Sequence, residues 1–196
     1  MEENNKRQAI LKAALDLFAQ KGYNSTSIDA IGDAVGIKGP NIYKYFKNKE
    51  DIFLSLKDSI EALYLTKMKE NSKAKVSSGK DLKEFSINQL LFTMDNNLIK
   101  KMRRMGAVEQ FRNEEHKTMS TQYQYVKIKT MFTEIFKSMI EDGIMVNEDP
   151  EILALAYMSP TSVLIQVYDR DPKRREEVIK LSEAHFDLFI KTYCLK

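Results

Sequence analysis

The side chains most suited to a binding function lie between Ala34 and Lys49, where the chain has lysines and tyrosines but no acidic residue. Lysine ammonium groups and tyrosine hydroxyls bind the phosphate oxygens that fix the register of a protein on a DNA duplex. Asn41 and Lys44, on a helix in the major groove, could also reach the edges of bases. Charge alone leaves a second interpretation equally open, in which these lysines only form a solvated helix face.

Residues 25–49 have the outline of a helix-turn-helix unit, in which a tight turn joins two short helices. Ser25 or Ser27 can cap the first helix, because a serine oxygen accepts hydrogen bonds from first-turn amides. Gly36 supplies the positive φ that the end of a short helix needs, and Pro40 suits the first turn of the second helix. The apolar side chains of this unit are Ile28, Ile31, Ala34, Ile37, Ile42, Tyr43 and Phe46.

A longer pattern around this unit resembles the DNA-binding domain of the TetR family of bacterial transcriptional regulators. The pattern runs from about Lys6 to Phe53 with unbroken spacing. The matching residues are Gly22-Tyr23, Thr26-Ser27-Ile28, Ile31, Gly36-Ile37-Lys38, Ile42-Tyr43-Lys44-Tyr45-Phe46 and Lys49-Glu50-Asp51-Ile52-Phe53. The chain departs from the family pattern at Gly32 and Val35, where alanine is usual, and at Pro40, where glycine is usual. Glycine at position 32 should weaken the first helix of the motif by roughly 1 kcal/mol relative to alanine.

We therefore assign residues 1–48 to DNA binding and residues 49–196 to ligand binding and dimerisation. The residues expected to contact DNA are Thr26, Ser27, Lys38, Gly39, Pro40, Asn41, Tyr43, Lys44, Tyr45 and Lys49. The resemblance implies a small-molecule site among the middle helices and a homodimer built by the last two helices. Two units of such a dimer read two half-sites of double-stranded operator DNA. Repression is the mode of regulation that the resemblance implies.

Composition favours an all-α protein made of one medium domain or of a small domain joined to a larger one. Of the 196 residues, 43% are hydrophobic, whereas only 4 are proline and 7 are glycine, which favours long helices. The net charge of +3 is mild, so the local distribution of charge matters more. The single cysteine, Cys194, suits a reducing compartment. No signal peptide or apolar run of membrane length is visible, and we expect a cytoplasmic protein.

Apolar residues at helical spacing predict long helices outside the helix-turn-helix unit. Their ranges are 4–21, 49–71, 81–98, 117–142, 150–167 and 172–193. Pro160 predicts a kink in the fifth. The last helix has two apolar stripes, one of which would serve the protomer core and the other a partner. One stripe holds Val178, Leu181, His185 and Leu188, and the other holds Ile179, Phe186, Phe189 and Tyr193.

The C-terminal part shows no sharp motif for its ligand. Methionines and tyrosines favour a pliable, largely apolar pocket with a few hydroxyl groups. The expected pocket residues are Phe85, Phe92, Met102, Met105, Tyr123 and Met158, although an ordinary core position is the more common role for any one of them. The basic cluster at residues 100–106 is better explained as a surface helix with Met102 and Met105 inward than as a DNA or membrane contact.

The expected mechanism has two states. Without ligand, the spacing of the two recognition helices fits the operator. Ligand favours a state in which the long helix from Lys49 has tilted and the spacing no longer fits. A ligand shifts such an equilibrium only by its difference in affinity for the two states, typically about 1–3 kcal/mol.

Enzymatic chemistry has little support in the sequence. A di-iron carboxylate site uses Glu-x-x-His pairs, but neither His116 nor His185 follows a glutamate by three residues. The motifs of phosphate loops, dinucleotide sites and serine hydrolases are absent, so we expect no catalytic residue, metal or cofactor. Residues 36–39 match the GXXG of KH domains, but that fold needs a sheet that the sequence does not offer. A helical module that binds another protein remains the main alternative.

Overall fold

Helices account for nearly all regular structure in the computed structural model, which describes residues 2–71, 76–109, 111 and 121–195. The α-helices are α1 (Glu2–Lys21), α2 (Ile28–Ala34), α3 (Lys49–Asn71), α4 (Gly79–Asp95), α5 (Asn97–Glu109), α6 (Lys127–Glu141), α7 (Pro150–Arg170) and α8 (Arg175–Tyr193). Three shorter elements are a 3-10 segment (Gly39–Lys44), a π-turn (Gln122–Val126) and a 3-10 turn (Pro172–Arg174). The described ranges contain no strand, only an isolated antiparallel bridge between Met145 and Cys194. The predicted all-α class with an N-terminal helix-turn-helix is confirmed.

The chain divides into two compact units. The first unit comprises Met1–Lys69 and Asn97–Lys117, and the second comprises Glu70–Asn96 and Thr118–Lys196. Helix α5 therefore groups with the N-terminal helices, although it follows α4 in sequence. The functional division at residue 49 stays a prediction, since compactness does not measure which residues bind DNA or ligand.

The first unit is built around the apolar stripe of α1, which packs along α5 and also contacts α2. Its buried apolar side chains are Ile10, Leu11, Ala14, Leu15, Phe18, Ile31, Ile42, Phe46, Ile52, Phe53, Leu56, Ile60, Ile99, Met102 and Met105. The ring of Tyr23 lies between those of Phe18 and Phe53, at centroid distances of 5.2 and 5.5 Å. Burial of this many apolar groups supplies the main stabilisation of the unit.

The second unit has two apolar clusters. The larger cluster surrounds Tyr157, whose ring lies 4.6 to 5.4 Å from those of Phe132, Phe136, Phe186 and Phe189. The smaller cluster contains Leu90, Met94, Tyr168 and Val178. Tyr157 also shares a hydrogen bond of 2.8 Å with Ser86, so the buried hydroxyl has a partner.

Most helix ends lie close to their predicted positions because the capping signals are local. Asp149 caps α7 by accepting hydrogen bonds from the amides of Glu151 and Ile152, with Pro150 in the first turn. Gly143 follows α6 with a φ of +70°. Helix α7 continues to Arg170 instead of ending at Val167, whereas α4 ends at Asp95, before a new helix begins at Asn97. The predicted helix at 117–142 is described only from residue 121, and the kink at Pro160 stays a prediction.

Candidate nucleic-acid interface

The first helix of the motif, α2, has the predicted cap. The Ser27 hydroxyl oxygen accepts a hydrogen bond of 3.1 Å from the Ala30 amide. At the other end, Gly36 adopts a φ of +70°, which an L side chain rarely tolerates. The amide of Ile37 then donates to the carbonyl of Gly32 at 2.9 Å and closes the turn. These contacts fix where the second helical element begins.

The second element of the motif is a 3-10 helix rather than an α-helix. Side chains three residues apart eclipse in a 3-10 helix, so this segment presents three rows. Gly39 and Ile42 form an inner row that is buried against α2. Pro40 and Tyr43 form a second row, and Asn41 and Lys44 form a third, and both of these rows are exposed.

The two outer rows form the exposed face of the motif. Tyr43 is 56% exposed, so its hydroxyl is accessible to a binding partner. Lys38 and Lys47 are also exposed and flank the segment on either side. The face therefore offers lysine ammonium groups, a tyrosine hydroxyl and an asparagine amide, the groups that bind phosphates and base edges. Pro40 has no backbone donor to offer to a phosphate.

Thr26 does not belong to this face. Its side chain is 1% exposed, and its hydroxyl donates a hydrogen bond of 2.8 Å to the Gly22 carbonyl inside the α1–α2 turn. The prediction that Thr26 contacts DNA with its side chain is therefore wrong. Ser27 is exposed and remains a candidate, although its oxygen already caps α2.

Gly39 and Lys49 also have internal roles. A Cβ at Gly39 would overlap the carboxylate of Asp29, so glycine permits the close approach of the segment to α2. The Lys49 ammonium group donates to the carbonyls of Tyr23 and Thr26 at 2.8 and 2.9 Å. It also lies 4.4 Å from the centroid of the Tyr23 ring. Both were predicted to contact DNA, and that stays a prediction; the contacts in the structure give them packing and positioning roles within the motif.

The start of α1 adds basic residues that the sequence analysis did not assign to the site. Lys6 donates to the Val35 carbonyl at the end of α2, at 3.0 Å. Lys6 also lines a surface depression together with Glu3, Asn5, Lys44 and the half-buried Tyr45. Arg7 lies 4.6 Å from the centroid of the Phe46 ring and donates to the Ser55 hydroxyl. Their partners are at least 29 residues away in sequence, so local patterns gave no signal for these contacts.

The predicted ligand-binding residues are divided between the two units, apart from one whose side chain is not described. Met102 and Met105 are buried in the core of the first unit, which confirms that they face inward, while their assignment to a ligand pocket stays a prediction. Phe85, Phe92 and Met158 belong to the second unit, where Phe85 packs edge-on against Phe132 at 6.1 Å. The side chain of Tyr123 lies outside the described part of the chain.

Polar groups in the second unit support its core. The His185 ring nitrogen Nε2 lies 2.8 Å from the Tyr157 carbonyl, which ties α8 to α7. Burial raises the pKa of the Tyr157 hydroxyl, which therefore stays protonated and can donate to Ser86. Burial also raises the pKa of the Cys194 thiol, which lowers its reactivity.

Within the described ranges no cluster of three or more His, Cys, Asp or Glu side chains could hold a metal ion. No helix there is long and apolar enough to cross a membrane.

The capped α2, the tight turn and the exposed 3-10 rows define a helix-turn-helix DNA-binding protein. The family described as "Bacterial regulatory proteins, tetR family" matches residues 10–56. The chain is 27% identical over 187 residues to the uncharacterised HTH-type transcriptional regulator YhgD of Bacillus subtilis, covering 92% of this chain and 94% of that protein. It is 32% identical over 81 residues to the fatty acid metabolism regulator protein of the same organism, covering 41% and 42% of the two chains.

Solved structures show the same fold over nearly the whole chain. SmeT, the repressor of the Stenotrophomonas maltophilia multidrug efflux pump SmeDEF, superimposes with a TM-score of 0.71 at 16% identity, covering 97% of this chain and 91% of SmeT. FadR from Bacillus subtilis, in complex with stearoyl-CoA, gives a TM-score of 0.68 at 20% identity, covering 93% and 97%. Residues 10–56 carry the DNA-binding domain of the TetR family of bacterial transcriptional regulators. The function of the chain is transcriptional regulation, which is supported over the alternative of a helical module that binds another protein. The similar proteins are regulators rather than enzymes.

Proposed function

We propose that this regulator is a homodimeric repressor that binds operator DNA through the outer rows of its 3-10 segment and is released by a small, largely apolar effector. The observation that carries the proposal is the exposed face formed by Tyr43, Asn41 and Lys44 between two flanking lysines. Lys38, Lys44 and Lys47 would bind phosphates, while Asn41 and Tyr43 would approach bases. Because bacterial operator DNA lies in the cytoplasm, a protein with this function would act there.

The exposed apolar residues of the last two long helices support a homodimer. On α7 they are Ile152, Leu155 and Val163, and on α8 they are Leu181 and Leu188. Ile152 and Leu188 are 61% and 65% exposed in the single chain. Apolar surface of this kind marks an interaction site, and an isologous two-fold contact would bury it on both protomers. The buried residues of α8 are Val178, Ser182, Phe186 and Phe189, so Val178 separates from the exposed Leu181 and Leu188 of its predicted stripe.

The aromatic and methionine-rich core of the second unit supports an apolar effector. Among proteins of the same fold, SmeT has been crystallised with triclosan and FadR with stearoyl-CoA. Both ligands have large apolar parts, which pack well against phenylalanine and methionine side chains. Phe85, Phe92 and Met158 stay our candidates for this contact.

Helix α3 supports the proposed two-state mechanism. It is a helix of 23 residues that begins at Lys49, shortly after the 3-10 segment of the motif. Effector binding would favour the tilted state of α3 by its difference in affinity for the two states, about 1–3 kcal/mol. That difference would lower operator affinity about 5- to 150-fold.

The test is fluorescence anisotropy of the purified protein with its own upstream DNA and with a scrambled duplex, at several salt concentrations. We expect specific binding, with an association constant whose logarithm falls linearly with the logarithm of the salt concentration. Lys38→Ala should weaken binding to both duplexes and reduce that slope by about 1, because one phosphate contact is lost. Lys173→Ala, on an exposed turn of the second unit, is the matched control and should change neither the affinity nor the salt slope. If Lys38→Ala behaves like this control, the proposed DNA face is wrong.

A further inference from the structure

Glu109, the last residue of α5, is completely buried although it carries a carboxylate. Burying a charge is costly unless hydrogen bonds and an opposite charge compensate it. Its Oε2 accepts a hydrogen bond of 3.0 Å from the Asn24 side-chain amide. Asn24 lies in the turn between α1 and α2, 85 residues earlier in the chain. A side chain of α5 thus binds the segment that leads into the helix-turn-helix.

The backbone of the same turn is shaped around this carboxylate. Gly22 ends α1 with a φ of +87°, and a Cβ at this position would overlap Glu109 Oε1. Glycine is therefore needed here both for its backbone conformation and for the space that the carboxylate occupies. The contact places Glu109 directly against the chain where it leaves α1.

Lys49, the first residue of α3, brings a positive charge to the same turn. Its ammonium group donates to two carbonyls of the turn, those of Tyr23 and Thr26. Burial lowers the pKa of Lys49, and the nearby Glu109 carboxylate opposes that shift by favouring the charged form. An anion from α5 and a cation from α3 therefore hold the same five-residue turn.

We propose that Glu109 is a positioning residue for DNA binding: it fixes the turn at residues 22–26 and thereby the position of α2 and the 3-10 segment. It does not contact DNA. The turn ends directly before Ser27, whose hydroxyl caps α2, so a displaced turn would displace the cap and the exposed rows behind it. This inference rests on the proposed function, since it assigns a residue that prepares the DNA-binding face.

The experiment uses the full-length protein and the isosteric substitution Glu109→Gln, with Asn24→Ala as a second variant. Asn24 is exposed, so its truncation leaves the core intact. The matched control is Asp16→Asn, which removes the more exposed ion pair between Lys101 of α5 and Asp16 of α1. Circular dichroism and urea unfolding first establish that each variant is folded.

We expect Glu109→Gln to weaken binding to the operator duplex about tenfold and to leave binding to the scrambled duplex within about twofold. Every phosphate-binding lysine remains, so the salt dependence of non-specific binding should not change. Combining Glu109→Gln with Asn24→Ala should weaken operator binding less than the product of the single effects, because the two residues share one contact. Asp16→Asn should leave operator affinity within about twofold.

Unchanged operator affinity in a folded Glu109→Gln protein would overturn the proposal, as would equal losses on both duplexes. A separate measurement does not depend on DNA: the pKa of Lys49, followed by NMR of its side chain, should fall in Glu109→Gln and stay unchanged in Asp16→Asn. If the wild-type protein does not distinguish the two duplexes, the proposed function fails. An unshifted Lys49 pKa would then separately show that Glu109 does not act on the turn.

Discussion

Gly32 packs against the turn that joins α2 to the 3-10 segment. A Cβ at this position would lie 2.7 Å from the Ile37 carbonyl oxygen and 3.0 Å from the Gly39 amide nitrogen. Both atoms belong to the backbone and cannot rotate away. Helix propensity alone favours alanine here by about 1 kcal/mol, which is the expectation drawn from sequence. The close approach of two backbone segments outweighs that preference.

We therefore predict that Gly32→Ala lowers the free energy of unfolding by about 1–3 kcal/mol, as overpacking does in other cores. Urea unfolding followed by circular dichroism measures this change. Ala34→Gly, on the exposed face of the same helix, isolates the effect of helix propensity and should lower the free energy of unfolding by about 0.5–1 kcal/mol. A Gly32→Ala protein that is more stable than the wild type would show that the backbone relaxes and that the helix propensity of alanine outweighs the close contact.

At the scale of elements, the 3-10 segment separates residues that hold the fold from residues that face solvent. Ile42 is fully buried in the inner row, whereas the adjacent Tyr43 is mostly exposed. An α-helix over the same residues would distribute them differently, because it turns 100° per residue rather than 120°. The 3-10 geometry therefore decides which of the two neighbours is exposed on the surface.

This arrangement predicts opposite effects for two adjacent substitutions. Tyr43→Ala should lower operator affinity about tenfold or more while the urea midpoint hardly changes. Ile42→Ala should lower the free energy of unfolding by about 2–5 kcal/mol, because it leaves a cavity under the segment. Anisotropy and urea unfolding of both variants measure the two effects. Loss of helicity or dimerisation in Tyr43→Ala would show that this side chain belongs to the core.

The elements themselves were largely predictable because their ends depend on local chemistry. Ser27, Gly36 and Pro150 marked helix ends correctly, since capping and backbone conformation act over a few residues. The roles of Thr26 and Lys49 were not predictable in the same way. Lys49 binds carbonyls that lie 23 and 26 residues away, and nothing in the spacing of its neighbours reports that contact.

Local sequence patterns also could not predict where α5 packs. Its methionines at 102 and 105 read as an inward stripe, but the sequence did not show which helix they face. The fold pairs α5 with α1, some 85 residues earlier, and so brings Glu109 to the helix-turn-helix. Pairing over such distances depends on the whole packing arrangement rather than on periodicity. For this reason the exposed face of the motif could be predicted from sequence, whereas the residues that position it could not.

At the scale of the whole molecule, the proposed function depends on two copies acting together. One helix-turn-helix contacts one half-site, and joining two copies raises affinity through a high effective local concentration. The exposed apolar residues of α7 and α8 would provide that connection. Leu181 and Leu188 are seven residues apart and therefore lie on the same face of α8.

We predict that Leu188→Glu converts the dimer into a monomer. In an isologous two-fold interface each substitution occurs twice, so two carboxylates would be buried without partners. Sedimentation equilibrium should change from twice the chain mass to the single-chain mass of 22.7 kDa. Operator affinity should fall about 10²-fold or more because the second half-site is no longer held nearby. Tyr43→Ala is the complementary control, since it should lose DNA binding and remain a dimer. A Leu188→Glu protein that keeps the dimer mass would place the interface on another surface, and the last two helices would then need a different role.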